Sequence, residues 1–313
     1  RRVLFRSQAM TRRSVTWLLA TILLSAGCGA PVGSAPAARY TVVATSSVFA
    51  DLASMALGNS ARVISLVPAG VDVHTFEPSP ETSRVVSTAD LLLMNGLGLD
   101  DWVQSILDAS PISTKNVLRL GEQIEATDHW VYLQEGGSGG VDPHIWLDPA
   151  GALIYIKRIA ARVVQDLPDA RSAIESSLAT AIAAIESLDT SLKTSFASIA
   201  SRKIITFHDA FGYFVRAYGL EVVGVAVEAP GQDPSAQQIA ELIDLINTTG
   251  VSAIFSEAQF PSKVLDQIAA ETGATVLGSL YSDALGPSPA DSYLGMMRAN
   301  GAAIAQALGG VAP

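Results

Sequence analysis

The stretch Pro168–Ile199, PDARSAIESSLATAIAAIESLDTSLKTSFASI, decides how this chain folds. Its apolar residues recur at spacings of three and four, which is typical of an amphipathic helix; they are Ile174, Leu178, Ile182, Ile185, Leu188, Leu192, Phe196 and Ile199. Pro168 suits the first turn of a helix. About 32 residues at 1.5 Å each give a helix of about 48 Å, which is longer than one α/β lobe. We therefore predict one rigid helix that joins two lobes. A coiled-coil partner helix is disfavoured because Ser, Thr and Ala fill the positions where charges are usual.

Short β-branched runs alternate with longer helical patterns on both sides of this helix. Such alternation is typical of parallel sheets covered by helices. The predicted strands are 40–45, 61–67, 91–95 and 116–120 in the first lobe, and 203–207, 220–227, 252–256 and 274–280 in the second. Helices such as Val48–Leu57 and Ala236–Asn247 lie between them. The predicted fold class is α/β, with two (β/α) lobes that each hold a four-stranded, mainly parallel sheet. The predicted boundaries are 39–167 and 200–313 for the lobes and 168–199 for the joining helix.

The first 28 residues differ from the rest of the chain. Arg12 and Arg13 precede the apolar run Val15–Ala26, which is too short for a transmembrane helix and is typical of a secretory signal. We therefore predict a leader with a signal peptide over 1–28, a flexible tether over 29–38, and an extracytoplasmic protein.

Cys28 is the only cysteine, so the chain cannot form an internal disulfide. The sequence Ser25-Ala26-Gly27-Cys28 resembles the acylation box of bacterial lipoproteins, although Ser25 stands where leucine is usual. We expect Cys28 to carry a lipid that anchors the protein to the outer face of the cell membrane or in the periplasm. A plain signal peptide with an incidental cysteine is the alternative.

The mature chain is strongly acidic. The whole sequence has 20 basic and 30 acidic residues, and five of the arginines lie before Cys28, where there is no acidic residue. Removing the leader leaves a net charge of about −15. An acidic surface repels nucleic acid phosphates and mildly favours cations, so we expect no nucleic acid partner.

Three of the four histidines stand where a predicted strand has just ended. They are His74, His144 and His208, and Asp283 takes the equivalent place after the last strand. Ligands of doubly wound sheets bind at the carboxyl ends of the strands. Each lobe supplies two of the four positions, so we expect the four side chains to meet between the lobes.

Three neutral imidazoles and one carboxylate make a complete tetrahedral shell for Zn²⁺. A Mn²⁺ site would be expected to use more carboxylate, so His208 favours zinc. His144 lies between two Asp-Pro pairs in Val141–Pro149, VDPHIWLDP, and proline on each side braces the turn that carries it.

Four motifs in order carry a family resemblance. They are VDVHTFEPSP at 71–80, DPHIWLDP at 142–149, FHDAFGYF at 207–214 and FSEAQF at 255–260. Together they resemble the zinc/manganese substrate-binding lipoproteins of ABC uptake transporters, the zinc-uptake solute-binding protein family of the cluster A-I type. The resemblance implies two lobes with a metal in the cleft, and a membrane permease as partner. Matched by position, His74, His144, His208 and Asp283 correspond to the ligands of that family.

Several further residues have predicted roles. Zinc-binding relatives often carry a long His-rich loop before the second ligand histidine, whereas residues 122–142 contain only His129, which weakens the choice of zinc. We expect His129 to be a solvated loop residue and Trp146 to serve packing. Asp148 and Asp209 each precede a predicted helix and are expected to cap it. Glu77 and Glu257 are candidates to orient an imidazole from outside the metal shell.

The predicted function is capture of Zn²⁺ and its delivery to an ABC permease, by a monomer. Manganese binding by the same site is the alternative within this class. A zinc hydrolase needs an open coordination position, and the sequence has no His-Glu-x-x-His motif. A sugar- or amino-acid-binding protein, or an adhesin-like surface lipoprotein, is disfavoured by the three strand-end histidines and the small number of aromatic residues.

Overall fold

The N-terminal lobe is built on a parallel four-stranded sheet. The computed structural model describes residues 40–109, 112, 114–122, 124, 131, 140–227, 230–231, 234–251, 253–260 and 263–313. The strands are β1 (Thr41–Ala44), β2 (Arg62–Ser65), β3 (Leu91–Met94) and β4 (Val117–Arg119). Their order is β2-β1-β3-β4, and every pairing is parallel. All of β3 is buried, as expected for an inner strand covered on both faces.

The C-terminal lobe repeats this arrangement. Its strands are β5 (Lys203–Thr206), β6 (Glu221–Val225), β7 (Ala253–Glu257) and β8 (Thr275–Leu280), in the order β6-β5-β7-β8. These pairings are also parallel, with register shifts at Ile204/Ile205 and Phe255/Glu257. The predicted fold class is therefore confirmed, and most of the predicted strands are shorter than expected by one or two residues at their ends.

The helices of the described chain cover both sheets. They are α1 (Ser47–Leu57), α2 (Pro80–Ser87), α3 (Val103–Ala109), α4 (Pro149–Asp166), α5 (Arg171–Phe196), α6 (Gly212–Tyr218), α7 (Ala236–Thr249), α8 (Lys263–Thr272) and α9 (Tyr293–Ala307). Four of them are preceded by a serine whose hydroxyl accepts a hydrogen bond from a backbone N–H of the first turn; these are Ser46, Ser79, Ser235 and Ser292. None of the helices in the described chain is long and apolar enough to span a membrane.

The long helix α5 has 26 residues and is shorter than predicted. Residues Pro168–Ala170 form a 3₁₀ turn ahead of it, and the helix ends at Phe196 rather than Ile199. At 1.5 Å per residue its length is about 39 Å.

A shared core joins the two lobes. Helix α5 packs on α1, α4 and α9, and its inward face includes Ile174, Ile185, Leu188, Leu192 and Phe196. The largest cluster of buried apolar side chains runs without a break from the first sheet to α9. The described residues accordingly belong to one compact unit. A shared core of this kind resists large movements of one lobe against the other.

Of the two predicted helix caps, one is confirmed and one is wrong. The Asp148 carboxylate accepts a hydrogen bond from the Ala150 N–H at the start of α4, at 2.8 Å. Asp209 does not cap α6, because two further residues intervene and the cap position is Phe211. Cys28 and His129 lie outside the described residues.

Gly151, in the first turn of α4, has no room for a side chain. A Cβ atom at this position would lie 2.2 Å from the Ile145 carbonyl oxygen, in the turn that follows His144. We expect Gly151→Ala to lower the free energy of unfolding by about 1–3 kcal/mol, because the backbone must shift to make room. Chemical denaturation measures this change. Gly278→Ala is the control, since a Cβ there meets no atom within 4 Å; equal losses for the two variants would contradict the prediction.

Candidate metal centre

The structure brings His74, His144, His208 and Asp283 together at the carboxyl ends of the strands. His74 lies in the loop after β2 and His144 in the loop after β4, while His208 follows β5 and Asp283 follows β8. Parallel strands in both sheets direct these four loops to one edge of each lobe. Two side chains thus come from each lobe, as the order of strands in the sequence predicted.

The four side chains present their ligand atoms to a common point. The Nε2 atoms of His74 and His208 each lie 3.3 Å from Nε2 of His144. Asp283 Oδ1 lies 3.2 Å from His144 Nε2 and 3.8 Å from His74 Nε2, and Oδ2 lies 3.5 Å from His208 Nε2. One ligand atom from each residue can be chosen so that all lie within 4.8 Å of one another.

These distances fit a tetrahedral metal ion. Zinc bonds to nitrogen and oxygen are about 2.0–2.1 Å long, so neighbouring ligand atoms around a tetrahedral ion lie about 3.3–3.4 Å apart. Three separations match this edge length closely: those from His144 Nε2 to Asp283 Oδ1, at 3.2 Å, and to Nε2 of His74 and His208, both at 3.3 Å. The four groups could therefore hold a metal ion without large rearrangement.

The cluster is almost closed to solvent. The side chains of His144, His208 and Asp283 are at most 1% exposed, whereas that of His74 is 18% exposed. A cavity of about 510 Å³ opens beside the cluster, and its lining includes Asp72, Thr75, Gln259 and Phe260. Because His74 is the most exposed of the four side chains, a solvated ion would meet it first.

Two carboxylates fix the orientation of two imidazoles. Asp142 Oδ1 lies 2.7 Å from His144 Nδ1 and also accepts the His144 backbone N–H. Glu257 Oε1 stands in the same relation to His208, at 2.8 Å from Nδ1 and 3.0 Å from the backbone nitrogen. A carboxylate can only accept, so Nδ1 of each imidazole carries the proton and Nε2 of the neutral ring is left with a lone pair.

Lone pairs therefore converge on the centre of the cluster. Asp283 Oδ1 is buried and has no hydrogen-bond partner among the described residues. In their neutral forms, His144 and His208 also offer only lone pairs at Nε2. Buried acceptors that face one another are unfavourable unless a cation lies between them. Protons bound to the imidazoles relieve part of this unfavourable contact, whereas one metal ion can accept a lone pair from every group in the cluster.

The pKa shifts describe the cluster before metal binds. Burial acts to lower the pKa of His144, but Asp142 and Asp283 outweigh it and raise the pKa to about 10. Burial also acts to lower the pKa of His208, but Glu257 and Asp283 outweigh it and raise that pKa. Burial lowers the pKa of His74 to about 3. Burial alone would raise the pKa of Asp283, yet the neighbouring imidazoles hold it well below its usual range. These raised pKa values favour the protonated forms of His144 and His208 in the metal-free cluster.

The two candidates for orienting an imidazole differ in outcome. Glu257 does lie against His208, as described above. Glu77 does not reach the cluster: its side chain is exposed, and no hydrogen bond joins it to an imidazole in the described part of the chain. The loop turns between His74 and Glu77, where Phe76 packs on Trp102 at a ring separation of 4.9 Å.

Asp142, Ser282 and Gln259 are parts of the site that sequence analysis missed. The sequence predicts only a bracing role for the Asp142-Pro143 pair, although the position of Asp142 two residues before His144 is a signal for the contact with Nδ1. Ser282 Oγ donates to Glu257 Oε2 at 2.6 Å, and Gln259 Nε2 contacts Asp283 Oδ2 at 3.2 Å. No spacing in the sequence indicates the role of Gln259, because 24 positions separate it from Asp283.

Contacts between the lobes hold the ligand loops in place. The Trp146 indole N–H donates to the Ser282 carbonyl at 2.9 Å, and Trp146 is fully buried, as expected for a packing residue. Tyr213 donates to the Asp142 carbonyl, and Tyr293 donates to the Trp146 carbonyl. The turn that carries His144 is thus fastened to the loop that carries Asp283.

Fold and site together define a class, the two-lobed substrate-binding proteins that take a metal ion. The family described as "Zinc-uptake complex component A periplasmic", ZnuA, matches residues 42–307. The chain belongs to this family, whose members serve metal ABC transporters as substrate-binding proteins, and the resemblance seen in the sequence motifs is confirmed.

Individual relatives carry the names of different metals. The chain is 30% identical over 293 residues to the "Iron ABC transporter substrate-binding lipoprotein MtsA" of Streptococcus pyogenes serotype M1, covering 90% of this chain and 93% of that protein. It is 28% identical over 289 residues to the "Manganese-binding lipoprotein MntA" of Halalkalibacterium halodurans, covering 90% and 94%. A solved structure, the "periplasmic zinc binding protein TroA" of Treponema pallidum, superposes with a TM-score of 0.78 at 26% identity, covering 86% and 99%. The zinc hydrolase alternative gains no support from these relatives.

Proposed function

We propose that this protein captures Zn²⁺ outside the cytoplasm and delivers it to the membrane permease of an ABC importer. His74, His144, His208 and Asp283 are the proposed ligands. The observation that carries the proposal is the convergence of imidazole nitrogens on Asp283 Oδ1, a buried oxygen without a hydrogen-bond partner among the described residues. Membership of the ZnuA family supplies the transport role.

The choice of zinc rests on the donor set. Three nitrogen ligands and one carboxylate suit a four-coordinate Zn²⁺, whereas Mn²⁺ favours more oxygen ligands and a higher coordination number. Manganese and iron appear in the names of relatives, so manganese is the second candidate for the same site.

A competition titration tests the proposed metal. Purified protein is stripped with a chelator and then titrated with Zn²⁺ in the presence of excess Mn²⁺, with calorimetry as the measurement. We expect one Zn²⁺ per chain and displacement of Mn²⁺ by Zn²⁺. Binding of Mn²⁺ that a stoichiometric amount of Zn²⁺ fails to displace would contradict the choice of zinc but not the role in metal transport.

The pH dependence of binding follows from the protons that the metal must displace. The pKa of His144 is about 10 and that of His208 is raised, so protonation of these imidazoles competes with metal binding. A metal ligand must be deprotonated. Binding therefore releases protons, and lowering the pH weakens it. His74, with a pKa of about 3, stays neutral and contributes nothing to this effect.

Calorimetric titrations from about pH 8 to about pH 5, in two buffers of different ionisation enthalpy, measure both consequences. We expect Zn²⁺ affinity to fall at each step toward acid, with proton release on binding. An affinity that stays constant over this range would exclude a site made chiefly of imidazoles.

The lipid anchor belongs to the same proposal. We propose that Cys28 is acylated and tethers a monomeric protein at the membrane surface, close to its permease. The names of relatives include the word lipoprotein. Loss of detergent-phase partition in Cys28→Ala, with the native protein in the detergent phase, is the expected result.

A further inference from the structure

The two oxygens of Asp283 have different surroundings. Oδ1 faces the imidazoles and has no hydrogen-bond partner among the described residues. Oδ2 accepts a hydrogen bond from Gln259 Nε2 at 3.2 Å and lies 3.0 Å from Ser282 Oγ. Oδ1 is therefore the oxygen of this carboxylate that is left without a partner in the described chain, whereas Oδ2 is held by a hydrogen bond from the protein.

Gln259 is the donor that occupies Oδ2. Its Nε2 also lies 2.8 Å from Ser282 Oγ. Ser282 has a single hydroxyl proton, and its shorter contact, 2.6 Å, is with Glu257 Oε2. The hydroxyl oxygen is then an acceptor toward Gln259, and the two amide protons of Gln259 are directed at Ser282 Oγ and Asp283 Oδ2.

Without this amide, Oδ2 would be within reach of a bound ion. It lies 3.5 Å from His208 Nε2, a separation close to that between neighbouring ligand atoms of one metal. Both oxygens of Asp283 could then chelate the ion and raise its coordination number. Zinc is stable with four ligands, whereas manganese gains from additional oxygen ligands.

We propose that Gln259 is a specificity-determining residue that keeps Asp283 a one-oxygen ligand and thereby favours zinc over manganese. This inference rests on the proposed function, because it assumes that the four residues bind the metal. Gln259 acts through Asp283 and is a positioning residue. It is half-buried in the turn after β7, so its replacement leaves the core intact.

The test uses two variants and a matched control. Gln259→Met is nearly isosteric and removes the donor, and Gln259→Asn keeps an amide on a side chain that is one methylene too short. Gln267→Met is the control, since Gln267 is exposed on α8 and pairs with Glu271. Each protein is titrated with Zn²⁺ against Mn²⁺, and each is loaded with Co²⁺, whose visible absorption is strong when four-coordinate and weak at higher coordination.

We expect both Gln259 variants to lower the ratio of Zn²⁺ to Mn²⁺ affinity by about 10-fold or more, with weaker Co²⁺ absorption, and the control to match the native protein. An unchanged ratio and spectrum would overturn the inference, and so would equal losses of both affinities with an unchanged spectrum. Failure of the native protein to bind Zn²⁺ or Co²⁺ at all would overturn the proposed function itself.

Discussion

Replacement of His208 by alanine should weaken Zn²⁺ binding by more than about 100-fold, because loss of an outer partner of a ligand alone costs about 10–100-fold. The variant removes one of three nitrogen donors and leaves Glu257 with a buried carboxylate that has lost its imidazole. Competition with a chromogenic chelator of known affinity measures the loss.

Two glutamate variants calibrate this result. Glu257→Gln keeps the shape of the group that orients His208 but removes its charge, so we expect a loss of about 10-fold. Glu77→Gln makes the same chemical change at an exposed residue outside the cluster, and native affinity is expected. A variant lacking the His208 imidazole that still bound Zn²⁺ as tightly as the Glu77→Gln control would remove His208 from the metal shell.

Zinc should also raise the thermal stability of the protein by a large amount. A ligand that binds only the folded state stabilises it by about 4 kcal/mol when its free concentration is about 1,000 times Kd. For a chain of this size, that gain corresponds to an increase in Tm of about 6–7 °C. The effect should be strong because the metal relieves the unfavourable approach of buried acceptors around Asp283 Oδ1. Differential scanning calorimetry with and without Zn²⁺ measures it.

The stabilisation has its own controls. A chelator should return the Tm to that of the metal-free protein, and His144→Ala should abolish most of the increase. Glu77→Gln should retain it in full. A similar increase in His144→Ala would mean that Zn²⁺ stabilises the protein from a different site.

Much of the fold was predictable because its signals are local. Short apolar runs marked all eight described strands, and the spacing of apolar residues marked α5. The ends of elements were less certain. Pro168 starts a 3₁₀ turn rather than the helix itself, and Asp209 is followed by two more residues before α6 begins at Gly212. Such endings depend on how neighbouring loops pack, which a single stretch of sequence does not record.

In the candidate site, too, local sequence predicted some features, whereas others depend on contacts between loops. Strand ends brought His74, His144, His208 and Asp283 to one edge, because the direction of parallel strands fixes where their loops go. Glu77 was misplaced because nearness in sequence to His74 does not determine which way a loop side chain points. Gln259 was missed because its role exists only through a contact between two loops of the second lobe.

A crystal structure of the Zn²⁺-loaded protein, with anomalous diffraction recorded on both sides of the zinc absorption edge, tests the central claim most directly. We predict a single zinc peak per chain, bonded to Nε2 of His74, His144 and His208 and to Oδ1 of Asp283. The Nδ1 contacts of His144 and His208 with Asp142 and Glu257 should be retained. A zinc peak elsewhere on the chain, or a metal bound without Asp283 and His208, would contradict the account.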